Sequence, residues 1–331
     1  MMHYRRLGET GLMVSEVGMG GAGIGHVWGP TTEDDAIAAV HTALQAGVNF
    51  FDVAATYGDG LAERLLGQAL APDRDRAVIA TKVYLAPADL ADIPGAIERG
   101  LAQSLERLNT GHIDLFQLHN HVTARRGEIP DSLSLHDVLG EGGVVETLQR
   151  LKQSDAVRFV GFTGLGQAAA VHSVIQDGGL DTVQAYYNLL NRSAAEPLPP
   201  HSGLHDHGQI IPLALQHGLA VIGIRNLAGG VLSAGLDRDI PPQSLFARDA
   251  RRIARLHFLG EHELPLSQIA TRFVLAQRHI ATVVPGAKNA AEIEDAIAAA
   301  AHPPLDDAQI ALLHDAAADD FGVPEPVPTT L

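Results

Sequence analysis

The sequence predicts a (β/α)8 barrel, the TIM-barrel form of the α/β class, in which eight parallel strands alternate with helices. Three observations predict it. Short runs rich in β-branched and aromatic residues recur along the 331 residues, and helical patterns separate them. Polar side chains also collect just after the runs, at the strand ends where such barrels build their sites. The runs are VGMG (17–20), VNFF (48–51), AVIA (77–80), IDLFQL (113–118), VRFVGF (157–162), TVQAYY (182–187), LAVIGI (219–224) and ATVV (281–284). Their continuous apolar character suits strands buried on both faces, as in a parallel sheet.

The elements follow in order. The opening MHYRRLGETGLMVSEVGMG (2–20) carries two short runs around the turn signal Glu9, Thr10 and Gly11, which predicts an N-terminal β-hairpin able to close the barrel's bottom. Thr32 caps the first helix and Asp35 lies in its first turn; Ile37, Val40 and Leu44 share one face, and Gly47 stops it. A helix starts between Gly60 and Glu63. Ile97, Leu101, Leu105 and Leu108 repeat at helical spacing before Ile113, and Val144, Leu148 and Leu151 do so before Val157. Two long connections, 120–143 and 191–208, follow the fourth and sixth strands and place extended loops at the C-terminal face. The region 237–264 contains the helix-like ARDARRIARLHFL (247–259) but receives no role; a clearer helix runs over 266–277. With Pro324, Pro326 and Pro328, the tail from about 322 reads as irregular. No further repeat and no low-complexity linker divides the chain, so 1–331 reads as one domain.

Composition narrows the function. A net charge of -16 excludes partners bound through phosphate neutralisation, both nucleic acid and anionic membrane. The absence of cysteine removes disulfides, thiolate nucleophiles and cysteine-ligated metals. Neither a signal-peptide pattern nor a long apolar span is seen, and a soluble, cytoplasmic protein is expected.

Chemistry collects at three strand ends: Asp52 and Tyr57 after the second, Lys82 after the third and His119 after the fourth. Around an apolar pocket these four suit carbonyl reduction or its reverse. Tyr57 would donate the proton, Lys82 would favour the phenolate, Asp52 would hold Lys82, and His119 would orient the carbonyl. Lowering a phenol by ~2 units asks for roughly 2.7 kcal/mol of preferential phenolate stabilisation, within reach of a neighbouring ammonium. Taken singly, Asp52 reads as a cap or ion-pair residue, Tyr57 as a turn aromatic and Lys82 as a solvated strand end; the ordered combination carries the chemistry. Glu63 reads as a first-turn helix carboxylate. His119 and His121 form an H-N-H pair with no third ligand in sight, so no metal site is expected, and His121 reads as a rim or surface residue. The group His201, His205, Asp206 and His207 reads as a surface loop or helix start. Trp28 and Tyr84, just beyond the first and third strands, read either as walls of a substrate pocket beside Tyr57 and His119 or as plain packing aromatics.

The segments DVAATYGDGLAERLLG (52–67), IATK (79–82), SLERLNTGHIDLFQLH (104–119), VRFVGFTG (157–164), VQAYYNLLNR (183–192) and VPGAKNAAEIEDA (284–296) resemble those of the aldo-keto reductases, in the same order and over nearly the whole chain. The resemblance implies a barrel that binds NAD(P)(H) without a Rossmann domain, and a catalytic tetrad of Asp52, Tyr57, Lys82 and His119. The glycines of GMGGAGIG (18–25) lack dinucleotide-fingerprint spacing and read as close backbone approach at the barrel mouth. By resemblance, the cofactor set is Gly21, Ala22, Asp52, Thr163, Gln184, Ile224, Arg225, Leu227, Gly286, Lys288, Glu292 and Asp295. Several members depart from the family pattern. Thr163 and Gly164 stand where Ser-Asn is usual, Ile224 and Arg225 where tyrosine and serine are common, and Ala296 where an asparagine ends the last motif. Lys288 favours a 2′-phosphate and Glu292 opposes it, with NADP(H) expected over NAD(H). The expected substrate is an aldehyde, ketone or sugar; the alternative is a non-catalytic nucleotide-binding sensor or scaffold, against which retention of all four tetrad residues weighs. A metal-dependent hydrolase rests on the H-N-H pair alone.

Overall fold

The computed structural model describes residues 2–199, 202–233, 239–242, 244–259 and 264–323. Strands β1 (Tyr4–Arg6) and β2 (Met13–Ser15) pair antiparallel as the expected hairpin. The barrel strands are β3 (Met19–Gly20), β4 (Phe50–Asp52), β5 (Val78–Val83), β6 (Ile113–Leu118), β9 (Val157–Thr163), β10 (Thr182–Tyr186), β11 (Ala220–Ile224) and β12 (Ile280–Val283), the last four numbered after the short β7 (Val122–Thr123) and β8 (Leu133–Ser134). All eight form one parallel sheet in chain order, and the bridges Val17 to Val283 and Gly20 to Gly286 join its first and last strands. Each of the eight predicted runs is therefore a barrel strand.

Helices α1 (Glu33–Gln45), α2 (Leu61–Leu70), α3 (Ile93–Leu108), α4 (Leu135–Leu139), α5 (Val144–Lys152), α6 (Ala168–Asp177), α7 (Ile210–Gln216), α8 (Leu245–Ile253), α9 (Leu266–Ala276), α10 (Ala290–Ala298) and α11 (Asp307–Ala318) lie between and after the strands. The cap at α1 is as the sequence predicts: Thr32 Oγ1 accepts the Asp35 N–H at 3.1 Å, and Gly47 follows the helix at φ 91°, a conformation suited to glycine. Val40 and Leu44 are buried against the sheet, as are Ile97, Leu101 and Leu148 on their helices.

Alternation along the strands divides the interior from the outer layer. Val78 and Ala80 of β5, Phe50 of β4, Leu115 of β6 and Ile222 of β11 meet inside the barrel, together with Leu7 and Val14 of the hairpin. The hairpin closes the bottom of the barrel: a Cβ on Gly8 would lie 2.8 Å from Ala220 Cβ, and Arg5 donates to the carbonyls of Ile280 and Leu275, each at 2.9 Å. One residue pair further along the same inward rows, Asp52, Lys82 and Gln117 replace the apolar side chains.

One expectation is corrected in detail and one is filled in. The long connection after β6 is not simply a loop, because β7, β8 and α4 fold within it, with Ser134 capping α4. The unassigned region around 247–259 contains α8 and a following 3-10 turn, and Arg252 of α8 is fully buried, bonded to Asp249 and to Asp320 beyond α11. Of the tail expected from about 322, Gly322 ends a 3-10 turn (Asp320–Gly322), and residues 324–331 lie outside the described residues.

Candidate active site

Strand register brings the four predicted catalytic side chains to one mouth. Asp52 ends β4 opposite Ala80, and Lys82 near the end of β5 is paired in register with Gln117 of β6. Both Asp52 and Lys82 are buried, and Lys82 Nζ donates to Asp52 Oδ2 at 2.7 Å and to the Val53 carbonyl at 2.8 Å. The other Asp52 oxygen accepts from Gln184 Nε2 at 2.8 Å and Gln117 Nε2 at 3.4 Å. Tyr57 lies on the turn before α2, with its ring centroid 5.2 Å from Lys82 Nζ. His119, just past β6, meets Tyr57 edge to face at 5.6 Å between centroids, and its Nδ1 lies 3.3 Å from Thr56 Oγ1.

The electrostatics divide the roles. Burial works against the Lys82 ammonium, but Asp52 and then Tyr57 outweigh it, and the pKa of Lys82 is raised. Burial drives His119 well below the ordinary imidazole value, and the charges of Lys82 and Arg225 push in the same direction. A neutral imidazole at neutral pH can donate one hydrogen bond to a substrate oxygen without delivering a net charge.

A cavity of about 590 Å³ opens from these residues and runs to the start of α10. It is lined by Asp52, Tyr57 and His119 at one end, and by all the other residues of the predicted cofactor set. Gln184 does not stand alone in it: Thr163 Oγ1 donates to Gln184 Oε1 at 3.3 Å while the Gln184 amide N–H bonds inward to Asp52. Arg225, at φ 59°, stacks its guanidinium 4.5 Å from the Trp28 ring centroid. Its Nη1 is buried in the lining of the cleft without a hydrogen-bond partner among the described residues. Trp28 meets Phe246 of α8 edge to face and lies 3.1 Å from where a Cβ on Gly286 would sit, a close approach that a side chain there would crowd. At the far end lie Lys288, Asn289, Glu292 and Asp295.

Tyr84 lies elsewhere. Its phenol pairs with Asp131, and burial and that carboxylate push it up to about 12; it does not line the cavity. His205 and His207 also depart from the surface reading: His207 is buried, stacked on Tyr186 at 4.7 Å, and His205 packs against its edge. His201 lies outside the described residues. No group of three or more metal-ligating side chains is assembled among the described residues. Sequence reasoning missed Gln117, Ser267 and Gln268. The amide of Gln117 was detectable as a polar residue in the apolar run IDLFQL, whereas Ser267 and Gln268 gave no local signal. Glu63 is in the first turn of α2 as predicted, yet fully buried, accepting from Thr81 Oγ1 at 2.6 Å and Arg107 Nε at 2.5 Å.

A parallel barrel with an elongated cleft across its C-terminal mouth and a buried acid–lysine pair under a phenol defines a class of oxidoreductase, and the comparisons agree. The model of the Aldo/keto reductase family matches residues 16–318, and the chain belongs to that family. It is 29% identical to L-galactose dehydrogenase of Arabidopsis thaliana, over 90% of this chain and 88% of that protein. The fold is similar to the holo form of aldo-keto reductase AKR11C1 from Bacillus halodurans, with a TM-score of 0.72 at 24% identity over 95% of this chain and 96% of that one. It is also similar to the glycerol dehydrogenase AKR11B4 from Gluconobacter oxydans, with a TM-score of 0.71 at 23% identity over 99% and 98% of the two chains. Oxidoreduction is thus the general activity, and the family uses a nicotinamide cofactor. The residues fit such a group: a cavity of about 590 Å³ joins the tetrad to the start of α10, and a buried guanidinium nitrogen of Arg225, without a partner among the described residues, lines it. No helix among the described residues is long and apolar enough to cross a membrane.

Proposed function

We propose that this chain is an NAD(P)(H)-dependent oxidoreductase that interconverts a carbonyl and an alcohol, with Tyr57 as general acid and base, and that its substrate is a sugar oxidised at the anomeric carbon. The observation that carries the reading is the buried Lys82–Asp52 pair directly beneath Tyr57, at the head of a cleft long enough for a dinucleotide. When bound, the nicotinamide accepts or supplies the hydride. In the oxidative direction the Tyr57 phenolic oxygen takes the hydroxyl proton, and the sugar leaves as its lactone; in reduction the same oxygen returns the proton to the carbonyl. The Lys82 ammonium stabilises the phenolate form, and Asp52, fixed by Gln184 and Gln117, keeps that ammonium charged inside the barrel. His119, held neutral, hydrogen-bonds the reacting oxygen and sets its angle to Tyr57. Arg225 holds a phosphate of the dinucleotide through its unpartnered Nη1. The sugar assignment draws on L-galactose dehydrogenase among the relatives, and the anomeric position on D-threo-aldose 1-dehydrogenase of Pseudomonas sp.

The test is a panel of aldoses, simple aldehydes and ketones with each nucleotide in both directions. Aldoses should be oxidised with lactone formation, and Tyr57→Phe should keep nucleotide affinity while turnover falls about 10²- to 10⁴-fold. Undiminished turnover by Tyr57→Phe removes the phenol from the mechanism. Nucleotide binding with no turnover of any substrate would favour the sensor reading.

A further inference from the structure

We propose that His121 and His205 are substrate-recognition residues that read the hydroxyl groups of a sugar away from its anomeric carbon, an inference that rests on the sugar reading above. Neither belongs to the tetrad or to the cofactor set. The loops after β6, β9 and β10 bring them together. β7 begins one residue after His121, and the Leu133 N–H of β8 donates to the His121 carbonyl at 2.9 Å, which fixes the backbone there. β7 in turn lies against the loop after β9. Val122 donates to the Leu165 carbonyl and accepts from the Gln167 N–H, each at 2.9 Å, and a Cβ on Gly166 would collide with the Val122 carbonyl. Leu165 of that loop lines the cavity. His205, from the long connection after β10, is held on the next residue, its Nε2 lying 3.1 Å from the Gly166 carbonyl. Its ring packs on the edge of His207 at 4.7 Å between centroids, and its own carbonyl accepts from Asn191 Nδ2 at 2.8 Å.

The free valences of the two rings suit hydroxyl groups. A carbonyl only accepts, so His205 Nε2 carries the proton and Nδ1 is left as an acceptor. No hydrogen bond engages the His121 ring among the described residues, and it faces His119, His205 and Arg225, two of which line the cavity. Burial first, then His205 and Arg225, hold His121 below the ordinary imidazole value; burial does the same to His205, although Gly166 and Asp206 act against it. Both rings are therefore uncharged at neutral pH. A hydroxyl donates and accepts at once, so it can complete the His205 acceptor and either nitrogen of His121 without bringing a charge to the mouth. Tyr57 and His119 hold the reacting oxygen. The groups met by His121, two residues past His119, belong to the other side of the sugar ring.

The test measures kcat and KM for the aldose oxidised best in the panel above and for its singly deoxygenated analogues, in the wild type, His121→Phe, His121→Asn and His205→Phe. The wild type should lose about tenfold in kcat/KM on at least one analogue, the scale of one buried hydrogen bond left unmade. His121→Phe should lose about tenfold on the parent sugar, carried by KM rather than kcat, and should no longer distinguish the parent from that analogue. His121→Asn keeps a donor and an acceptor and should recover part of the loss. His205→Phe should behave alike toward a hydroxyl of its own, and it carries the test if His121→Phe does not fold. An unchanged parent KM overturns the inference, as does a loss confined to kcat or discrimination among the analogues that survives both phenylalanine variants; in each case the oxidoreductase reading stands. If the wild type oxidises no aldose, the sugar reading falls and this inference with it.

Discussion

Replacing Lys82 with methionine removes one member of a buried ion pair while keeping the length of the side chain. At 2.7 Å from Asp52 Oδ2 the ammonium is held by about 6 kcal/mol of attraction at an effective dielectric of about 20. Much of that offsets the cost of taking both charges out of water, so the pair contributes less than this to net stability. Breaking it is another matter. In Lys82→Met the Asp52 carboxylate stays inside the barrel with only the amides of Gln184 and Gln117 facing it, at 2.8 and 3.4 Å. Losses of about 3 to 5 kcal/mol are typical of such a break, and the two amides place this one near about 3 kcal/mol. Asp52→Asn should cost a similar amount, because Lys82 then keeps only neutral acceptors, the Val53 carbonyl and the Tyr57 oxygen among them. The double variant Asp52→Asn/Lys82→Met carries neither charge and should return to within about 1 kcal/mol of the wild type. The assay is urea unfolding of the four proteins by circular dichroism at neutral pH, comparing midpoints at constant m-value. If Lys82→Met is as stable as the wild type, or if the two single losses simply add in the double variant, the pair is not the buried, mutually dependent unit inferred here.

Glu63→Ala should destabilise by about 3 kcal/mol, since it strands Arg107 and the buried Thr81 hydroxyl, whereas Glu63→Gln should lose about half of that; thermal melts of both check the order. His207 gives a pH signature. Burial first, then His205, lower it to about 3, so the folded protein refuses a proton that the unfolded chain accepts from about pH 6.5 downward. The associated stability is complete above that pH and is lost as pH falls toward about 3. His207→Phe, which keeps the stack on Tyr186, should flatten the decline in urea midpoint between pH 7 and pH 4.5, and an unchanged slope would assign the acid sensitivity elsewhere.

The barrel was readable in the sequence because its eight strands and several of its helices announce themselves locally. A run such as IDLFQL or a cap such as Thr32 before Asp35 depends on neighbours a few residues apart, and each formed where its pattern placed it. The order of Asp52, Tyr57, Lys82 and His119 at successive strand ends was legible for the same reason, since a parallel barrel brings consecutive strand ends to one face. What each side chain touches was not. Gln184 and Asp52 are 132 residues apart, Glu63 and Arg107 44 apart, and no local pattern says which of several nearby donors a carboxylate will meet. Nor could patterning reveal that Tyr84 turns to Asp131, that Arg225 stacks on Trp28, or that β7, β8 and α4 fold inside the connection after β6. The sequence by itself determined the eight barrel strands and which polar residues reach the mouth, because backbone preference and hydrophobic period act over a few residues. Only the tertiary structure decided which charges are paired and which remain open to a ligand, because that choice depends on strand register and on burial, which exist only once distant segments have packed.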